Sequence, residues 1–259
     1  MNPGRHAFVT GAGGGIGKEI AVRLAAAGHA VSLVGRRAPP LEAVAGEIRA
    51  AGGEAVAVAD FDVCNEKLIE KGIAVARDRF GEIAVLINCA GLAPSAPFEK
   101  TDPAFWNHVI ATNLTGVFLV TQAALPSIKR AGKGRIVNVA STAGLIGYAY
   151  VAAYCAAKHG VVGLTRALAL ELARSDITVN AVCPGFTETP LLEGAIETIT
   201  SKTGRTRAEA LATLARSNPQ GRLVTAQEVA QAVMWLVSEG ATAITGQAVA
   251  VAGGEVMTG

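Results

Sequence analysis

The chain predicts one doubly wound α/β domain, a parallel sheet with helices packed on both faces. Three observations predict it. Short Val/Ile/Ala runs alternate with longer Ala/Leu-rich segments, a glycine-rich turn follows the first run, and no linker or low-complexity stretch interrupts the 259 residues. At 51% hydrophobic content, a chain of this length can bury one large core.

Taken in order, the runs at 6–10 (HAFVT), 30–34 (AVSLV), 54–59 (EAVAVA), 84–88 (AVLIN), 134–141 (GRIVNVAS), 177–183 (ITVNAVC) and 247–253 (QAVAVAG) are nearly continuous in small and β-branched residues. That is the pattern of strands buried on both faces. Between them, 17–27, 41–51, 65–80, 103–128, 154–174 and 226–238 carry helix formers with apolar residues at helical spacing. Asp102 ahead of Pro103 marks one helix start, and Thr225 with Glu228 forms a capping box at another. The polar stretch 191–219 reads as one or two helices of a mobile lid over the substrate, spanning about 188–219 within a single catalytic domain of residues 1–259.

Composition excludes several function classes. A net charge of +2 with no basic stripe argues against nucleic acid. No apolar run is read as reaching the roughly 18 uncharged residues a membrane span needs, and no cleavable leader is read at the N-terminus, so a cytoplasmic location without membrane contact is expected. Cys64, Cys89, Cys155 and Cys183 lack CxxC spacing, and His6, His29, His108 and His159 are scattered, so neither disulfides nor a metal site is expected.

In a doubly wound sheet the ligand lies beyond the carboxyl ends of the strands, so the first strand-to-helix turn is the place to look. TGAGGGIG supplies Thr10, Gly11, Gly13, Gly15, Ile16 and Gly17. Such a turn lets the backbone approach a pyrophosphate and aims a helix N-terminus at it, as in Rossmann-type dinucleotide sites; without a ligand it would be only a tight turn. At the end of the second strand, where a carboxylate would bind the ribose hydroxyls of NAD, stand Arg36 and Arg37. Two guanidiniums favour the 2′-phosphate of NADP(H), with NAD(H) as the alternative and solvated loop charges as the plain one. Asp62 and Val63 follow the third strand, where a carboxylate can receive an adenine amino group or simply make a turn.

Further motifs appear in order: NCAG with Asn88, Ala90 and Gly91; Asn113 in ATNLTG; Ser141 in NVAST; Tyr154 and Lys158 in YCAAK; and Pro184 with Gly185 in PGFTETP. In these the chain resembles the classical short-chain dehydrogenase/reductase family over nearly its whole length. The stretch from Lys158 to Pro190 is most similar to polyketide ketoreductases and 3-oxoacyl-thioester reductases acting on coenzyme A or acyl-carrier substrates. Two departures are Cys89, where a second Asn is usual, and Cys155, where Ser is common. The resemblance implies that Lys158 also holds the nicotinamide ribose, that Asn113 keeps a water in a proton relay, and that Thr187 and its neighbours orient the nicotinamide. It also implies a homotetramer, with contacts through 103–128 and the last strand.

The chemistry can be argued from residue types. Reducing a ketone needs hydride at carbon and a proton at oxygen, and Tyr154 can give that proton if its pKa falls toward neutrality. Lys158, one helical turn on, is expected to supply that shift, and Ser141 to donate a hydrogen bond to the substrate oxygen. Singly, the Tyr/Lys pair would be an ordinary helix-surface pair; with Asn113, Ser141 and the glycine turn it is a catalytic set. The small apolar stretches GLAPSAPF and TAGLIGYAY suit an uncharged acyl or cyclic ketone, or are packed loops. Lys202, Arg205 and Arg207 either meet the phosphates of a coenzyme A or acyl-carrier thioester or are solvated. The expected function is therefore NADP(H)-dependent ketone reduction on a small-molecule carbonyl, most concretely a 3-oxoacyl thioester. Alternatives are NAD-dependent oxidation of a secondary or cyclic alcohol, and a non-catalytic cofactor-binding protein.

Overall fold

Seven parallel strands form one sheet in the order β3-β2-β1-β4-β5-β6-β7. The computed structural model of the chain describes residues 4–257. The strands are β1 (His6–Thr10), β2 (Ala30–Val34), β3 (Ala55–Val58), β4 (Ile83–Asn88), β5 (Gly134–Val139), β6 (Ile177–Pro184) and β7 (Ala248–Val251). All seven predicted runs are strands, and β1, β2, β4, β5 and β6 are buried throughout, as continuous apolar runs require.

Helices cover both faces. On one, α1 (Gly15–Ala26), α2 (Ala38–Ala50) and α9 (Ala226–Val237) bury Ile20, Leu24, Leu41, Ile48, Val229 and Val233 against the sheet. On the other, α3 (Glu66–Phe80), α5 (Gly116–Arg130) and α6 (Ala152–Glu171) contribute Ile69, Ile73, Val120, Ile128 and Ala169. Helices α7 (Pro190–Thr203) and α8 (Arg207–Ala215) build a small separate cluster around Leu192, Ile196, Ala210 and Leu214. The predicted lid segment is thus a helical hairpin, with Gly204 at φ +70° ending its first helix and a Thr206–Glu209 capping box starting its second.

Three expectations need correction. Helix α2 begins at Ala38, not at 41, because Pro39 and Pro40 sit in its first turn, where N–H groups have no helical partner to lose. The expected single helix over 103–128 is instead α4 (Pro103–Ile110), a π-helical turn (Ala111–Thr115) and α5. The stretch Pro103–Arg130 is also, by length and composition, apolar enough to cross a membrane, contrary to the reading that no run is. Its apolar face packs on the sheet through Val120, Ala124 and Ile128, and Thr121 and Ser127 are hydrogen-bonded in the interior.

A buried polar strut fixes the carboxyl ends of the central strands. Asn88 on β4 faces Asn138 on β5, and its amide donates to Asn138 Oδ1 at 2.8 Å and to Thr121 Oγ1 at 2.9 Å. Asn138 in turn donates to Thr165 Oγ1 on α6 at 2.9 Å. Every member has a partner, so the strut ties α5, β4, β5 and α6 in one register.

Candidate active site

The strand order reverses between β1 and β4, the switch point of a doubly wound sheet outside whose carboxyl edge a ligand crevice is expected. Thr10 closes its floor: Oγ1 accepts from the N–H groups of Cys89 and Ala90 at 3.0 and 3.1 Å. Gly11, at φ +69°, lies so close to this loop that a Cβ would come within 3.0 Å of Ala90. A Cβ on Gly17 would strike the carbonyl of Gly11, so this glycine lets α1 start directly on the turn. Gly13 faces Pro40, Gly15 adopts φ +53°, and Ile16 packs on the core beneath. No acidic side chain occupies the first turn of α1, leaving its N–H groups open to an anion. The cradle therefore fits a dinucleotide pyrophosphate.

Arg36 and Arg37, just after β2, are exposed, and the side chain of neither makes a hydrogen bond or ion pair among the described residues. Both guanidiniums are free to take a phosphate. Asp62 accepts from the N–H of Cys64 at 2.9 Å, a local turn that leaves its second oxygen available, and Val63 is buried against Gly116.

Tyr154 and Lys158 lie one turn apart on α6, with the ammonium 5.6 Å from the phenol ring centre. Lys158 is 5% exposed and donates to the carbonyl of Val139, at the end of β5, at 2.8 Å. Ser141, two residues on, caps a short 3-10 turn by accepting from the N–H of Ala143 at 3.1 Å. Gly144 brings that turn against α6, where a Cβ would come within 2.7 Å of the Lys158 carbonyl oxygen. Sequence reasoning has Lys158 lowering the Tyr154 pKa, and here the balance runs the other way. Burial pushes the phenol up to about 12, opposed in part by the Ser141 hydroxyl, and lowers the ammonium to about 8. The phenol holds its proton at neutral pH.

Asn113 sits in the π-helical turn, fully buried. Its amide clamps Leu92, accepting from the N–H at 3.1 Å and donating to the carbonyl at 3.0 Å, and donates also to Val109. One amide hydrogen and the amide oxygen position the loop after Gly91, where a Cβ would come within 2.8 Å of Asn113 Oδ1, and the other hydrogen goes to Val109 on α4. Asn88 is likewise committed, through both amide hydrogens, to the strut. Across the crevice, Pro184 ends β6 and Gly185 donates to Val251 at 3.1 Å. Thr187 is buried and donates to the Gly185 carbonyl at 2.9 Å, which leaves its lone pairs to accept from an amide N–H.

Of the lid cations named from the sequence, Arg207 pairs with Glu193 at 2.7 Å and Arg205 reaches Thr213 at 3.3 Å, while Lys202 has no ion pair among the described residues. Among those residues no group of three His, Cys, Asp or Glu is placed to hold a metal. Sequence reasoning missed Asn138, Thr165 and Thr121, whose only signal is polar residues inside apolar runs. It also missed Glu255, which lies in no motif and yet bonds Tyr148 beside Ser141.

Comparison with known proteins agrees with this geometry. A family model described as short chain dehydrogenase matches residues 5–200. A Streptomyces coelicolor protein assigned by name as a ketoacyl reductase is 44% identical over 250 residues, covering 96% of this chain and 95% of that one. A D-beta-hydroxybutyrate dehydrogenase of Cupriavidus necator is 39% identical over 248 residues, covering 95% of each. A crystallised variant of actinorhodin polyketide ketoreductase, solved with NADPH, superposes with a TM-score of 0.93 at 42% identity and 97% coverage of both chains.

The depressed Lys158 pKa predicts a pH-dependent stability. Between about 8 and the ordinary lysine value, the unfolded chain holds a proton that the folded chain has released, so stability due to this residue rises with pH across that window. The urea midpoint of the native protein, measured against that of Lys158→Met, is expected to climb from pH 8 to pH 10. A flat or falling difference contradicts the burial of a bare ammonium.

Proposed function

The chain belongs to the short chain dehydrogenase family, and we propose that within it the protein is an NADP(H)-dependent ketoreductase whose substrate is a 3-oxoacyl thioester. One observation carries the reading: Ser141, Tyr154 and Lys158 converge at the carboxyl edge of the sheet, beside a glycine cradle flanked by two unpaired guanidiniums. The ketoreductase relatives, and the NADPH in one of them, support the cofactor and the direction of reaction.

NADPH, when bound, supplies the hydride to the carbonyl carbon. Tyr154 gives its phenolic proton to the carbonyl oxygen, so that C=O becomes CH–OH and the phenol becomes a phenolate. Ser141 donates to the same oxygen as negative charge develops. Lys158 holds its ammonium next to the phenolate and can bond the cofactor ribose, and Asn113 shapes the wall behind it. Arg36 and Arg37 bind the 2′-phosphate, Thr10, Gly11, Gly13, Gly15, Ile16 and Gly17 take the pyrophosphate, and Asp62 with Val63 borders the adenine. Ala90, Gly91, Pro184, Gly185 and Thr187 line the nicotinamide half, where Asn88 acts only from behind through the strut.

The α7–α8 hairpin serves as the lid, with Lys202, which has no ion pair among the described residues, the lid cation left to meet a coenzyme A or acyl-carrier phosphate. We infer further that the enzyme is cytoplasmic and that it is homotetrameric, the latter supported by the half-buried edge strand β7 and by Trp106 and Phe118 exposed on α4 and α5. A second reading, oxidation of a hydroxy acid or cyclic alcohol with NAD, is favoured by the hydroxybutyrate dehydrogenase among the relatives. Arg36 and Arg37, with no carboxylate at the end of β2, count against it.

Tyr154→Phe is expected to lower kcat about 10³-fold while NADPH affinity, read by cofactor fluorescence, stays within about twofold; retained turnover removes the proton donor. Replacing Arg36 and Arg37 together with Ala is expected to weaken NADPH about 10- to 100-fold and NADH hardly at all, the loss of one or two charge-assisted hydrogen bonds. Equal losses for both cofactors contradict the phosphate site.

A further inference from the structure

Two tyrosines meet the turn that starts at Ser141: Tyr154 by way of the Ser141 hydroxyl and Tyr148 by way of Thr142. The Tyr148 hydroxyl donates to Glu255 Oε1 at 2.6 Å, and its oxygen lies 2.8 Å from Thr142 Oγ1. A phenol carries one hydrogen and a carboxylate only accepts, so the proton goes to Glu255 and Thr142 donates back to the phenol oxygen. Burial and the Glu255 carboxylate hold Tyr148 well above the usual phenol range. It is therefore a non-reacting wall beside the reacting Tyr154.

Glu255 reaches this place because the chain after β7 folds back over the carboxyl edge. Gly253 and Gly254 turn at φ +58° and +92°, and a Cβ on Gly253 would overlap the Asn218 amide. Asn218 is itself pinned, donating to Arg222 and accepting from Gln220, both at 2.8 Å. The tail thus arrives by one route. Its carboxylate then lies between two segments that border the carbonyl site. On one side is the loop from Ser141 to Tyr154, held through Tyr148 and Thr142. On the other is the turn after β6, where a Cβ on Gly185 would come within 2.8 Å of Glu255 Oε2. The Tyr148 ring meets Phe186 of that same turn edge-on, with centres 6.0 Å apart at 76°. No ion pair among the described residues includes Glu255, so Tyr148 is its hydrogen-bonding side-chain partner.

We propose that Glu255 is a positioning residue for the substrate ketone: it clamps Tyr148 between the Ser141 loop and the Gly185–Thr187 turn, so that the two segments present one rigid wall to the group beside the carbonyl. The inference rests on the ketoreductase reading of Tyr154. A rigid wall keeps the carbonyl within reach of Tyr154 and Ser141, and a loose one admits unproductive poses at the cost of affinity.

The test is a double-mutant cycle with acetoacetyl-CoA and NADPH. Tyr148→Phe and Glu255→Ala are each expected to raise KM for acetoacetyl-CoA about tenfold, with kcat and KM for NADPH within about twofold. Glu255→Gln keeps an acceptor for the phenol and is expected to restore most of the loss. The double variant is expected to be no worse than either single one, since both remove the same bond. An unchanged ketone KM, additive losses, or an equal loss in NADPH overturns the clamp. Amide hydrogen exchange gives a readout that needs no turnover: residues 142–150 should exchange faster in Glu255→Ala while β4 and β5 do not. If the wild type reduces no ketone yet this loop loosens, the ketoreductase reading fails and the clamp stands; unchanged loop protection overturns the clamp by itself. Should Glu255→Ala not fold, Tyr148→Phe, which keeps the ring and its packing, carries both readouts.

Discussion

The ammonium of Lys158, buried at the carboxyl edge of the sheet and bonded to the carbonyl of Val139, is the contact around which the site is organised. A buried cation with no carboxylate beside it is expensive, and it persists because the surrounding fold over-determines its position. The bond joins α6 to the end of β5. Tyr154, one turn earlier on α6, and Ser141, two residues past Val139, are thereby fixed relative to each other. Gly144 makes the join close, since any side chain there would push the 3-10 turn off the helix.

The rest of the crevice follows from the sheet. Parallel strands bring their carboxyl ends to one edge, and the strand order reverses there between β1 and β4, the place where a doubly wound sheet takes its ligand. Glycines floor one half of it because backbone must pass close to backbone at Gly11 and Gly17. Asn113 and the Asn88–Asn138 strut hold the other half from behind. Polar residues that look like ligands in the sequence thus divide into two groups. Arg36, Arg37 and Tyr154 keep hydrogen-bonding capacity for a ligand, whereas Asn88 and Asn113 have spent their amide hydrogens on holding loops and strands.

Much of this was legible in the sequence because it depends on local pattern. Buried parallel strands need continuous apolar runs, and all seven runs are strands; the glycine turn and the Tyr154–Lys158 spacing are equally local. What was not legible depends on long-range placement. The π-helical turn at Asn113 leaves the apolar spacing of 103–128 intact, so nothing in the pattern breaks the helix. The pKa of Tyr154 is a contest between burial and a neighbouring charge, and only coordinates show that the ammonium faces Val139 while the phenol is desolvated. Glu255 reaches Tyr148 across a sequence separation of 107 and belongs to no motif.

The chemistry proposed for this geometry is reduction of a ketone with a phosphorylated nicotinamide. The most direct measurement follows nicotinamide absorbance with acetoacetyl-CoA, using NADPH and NADH side by side at matched concentrations. Rapid oxidation of NADPH is expected, with NADH used at least about tenfold more slowly, the loss of one charge-assisted contact to the 2′-phosphate. Equal or faster use of NADH, or no turnover by a sample shown to bind NADPH, would contradict it.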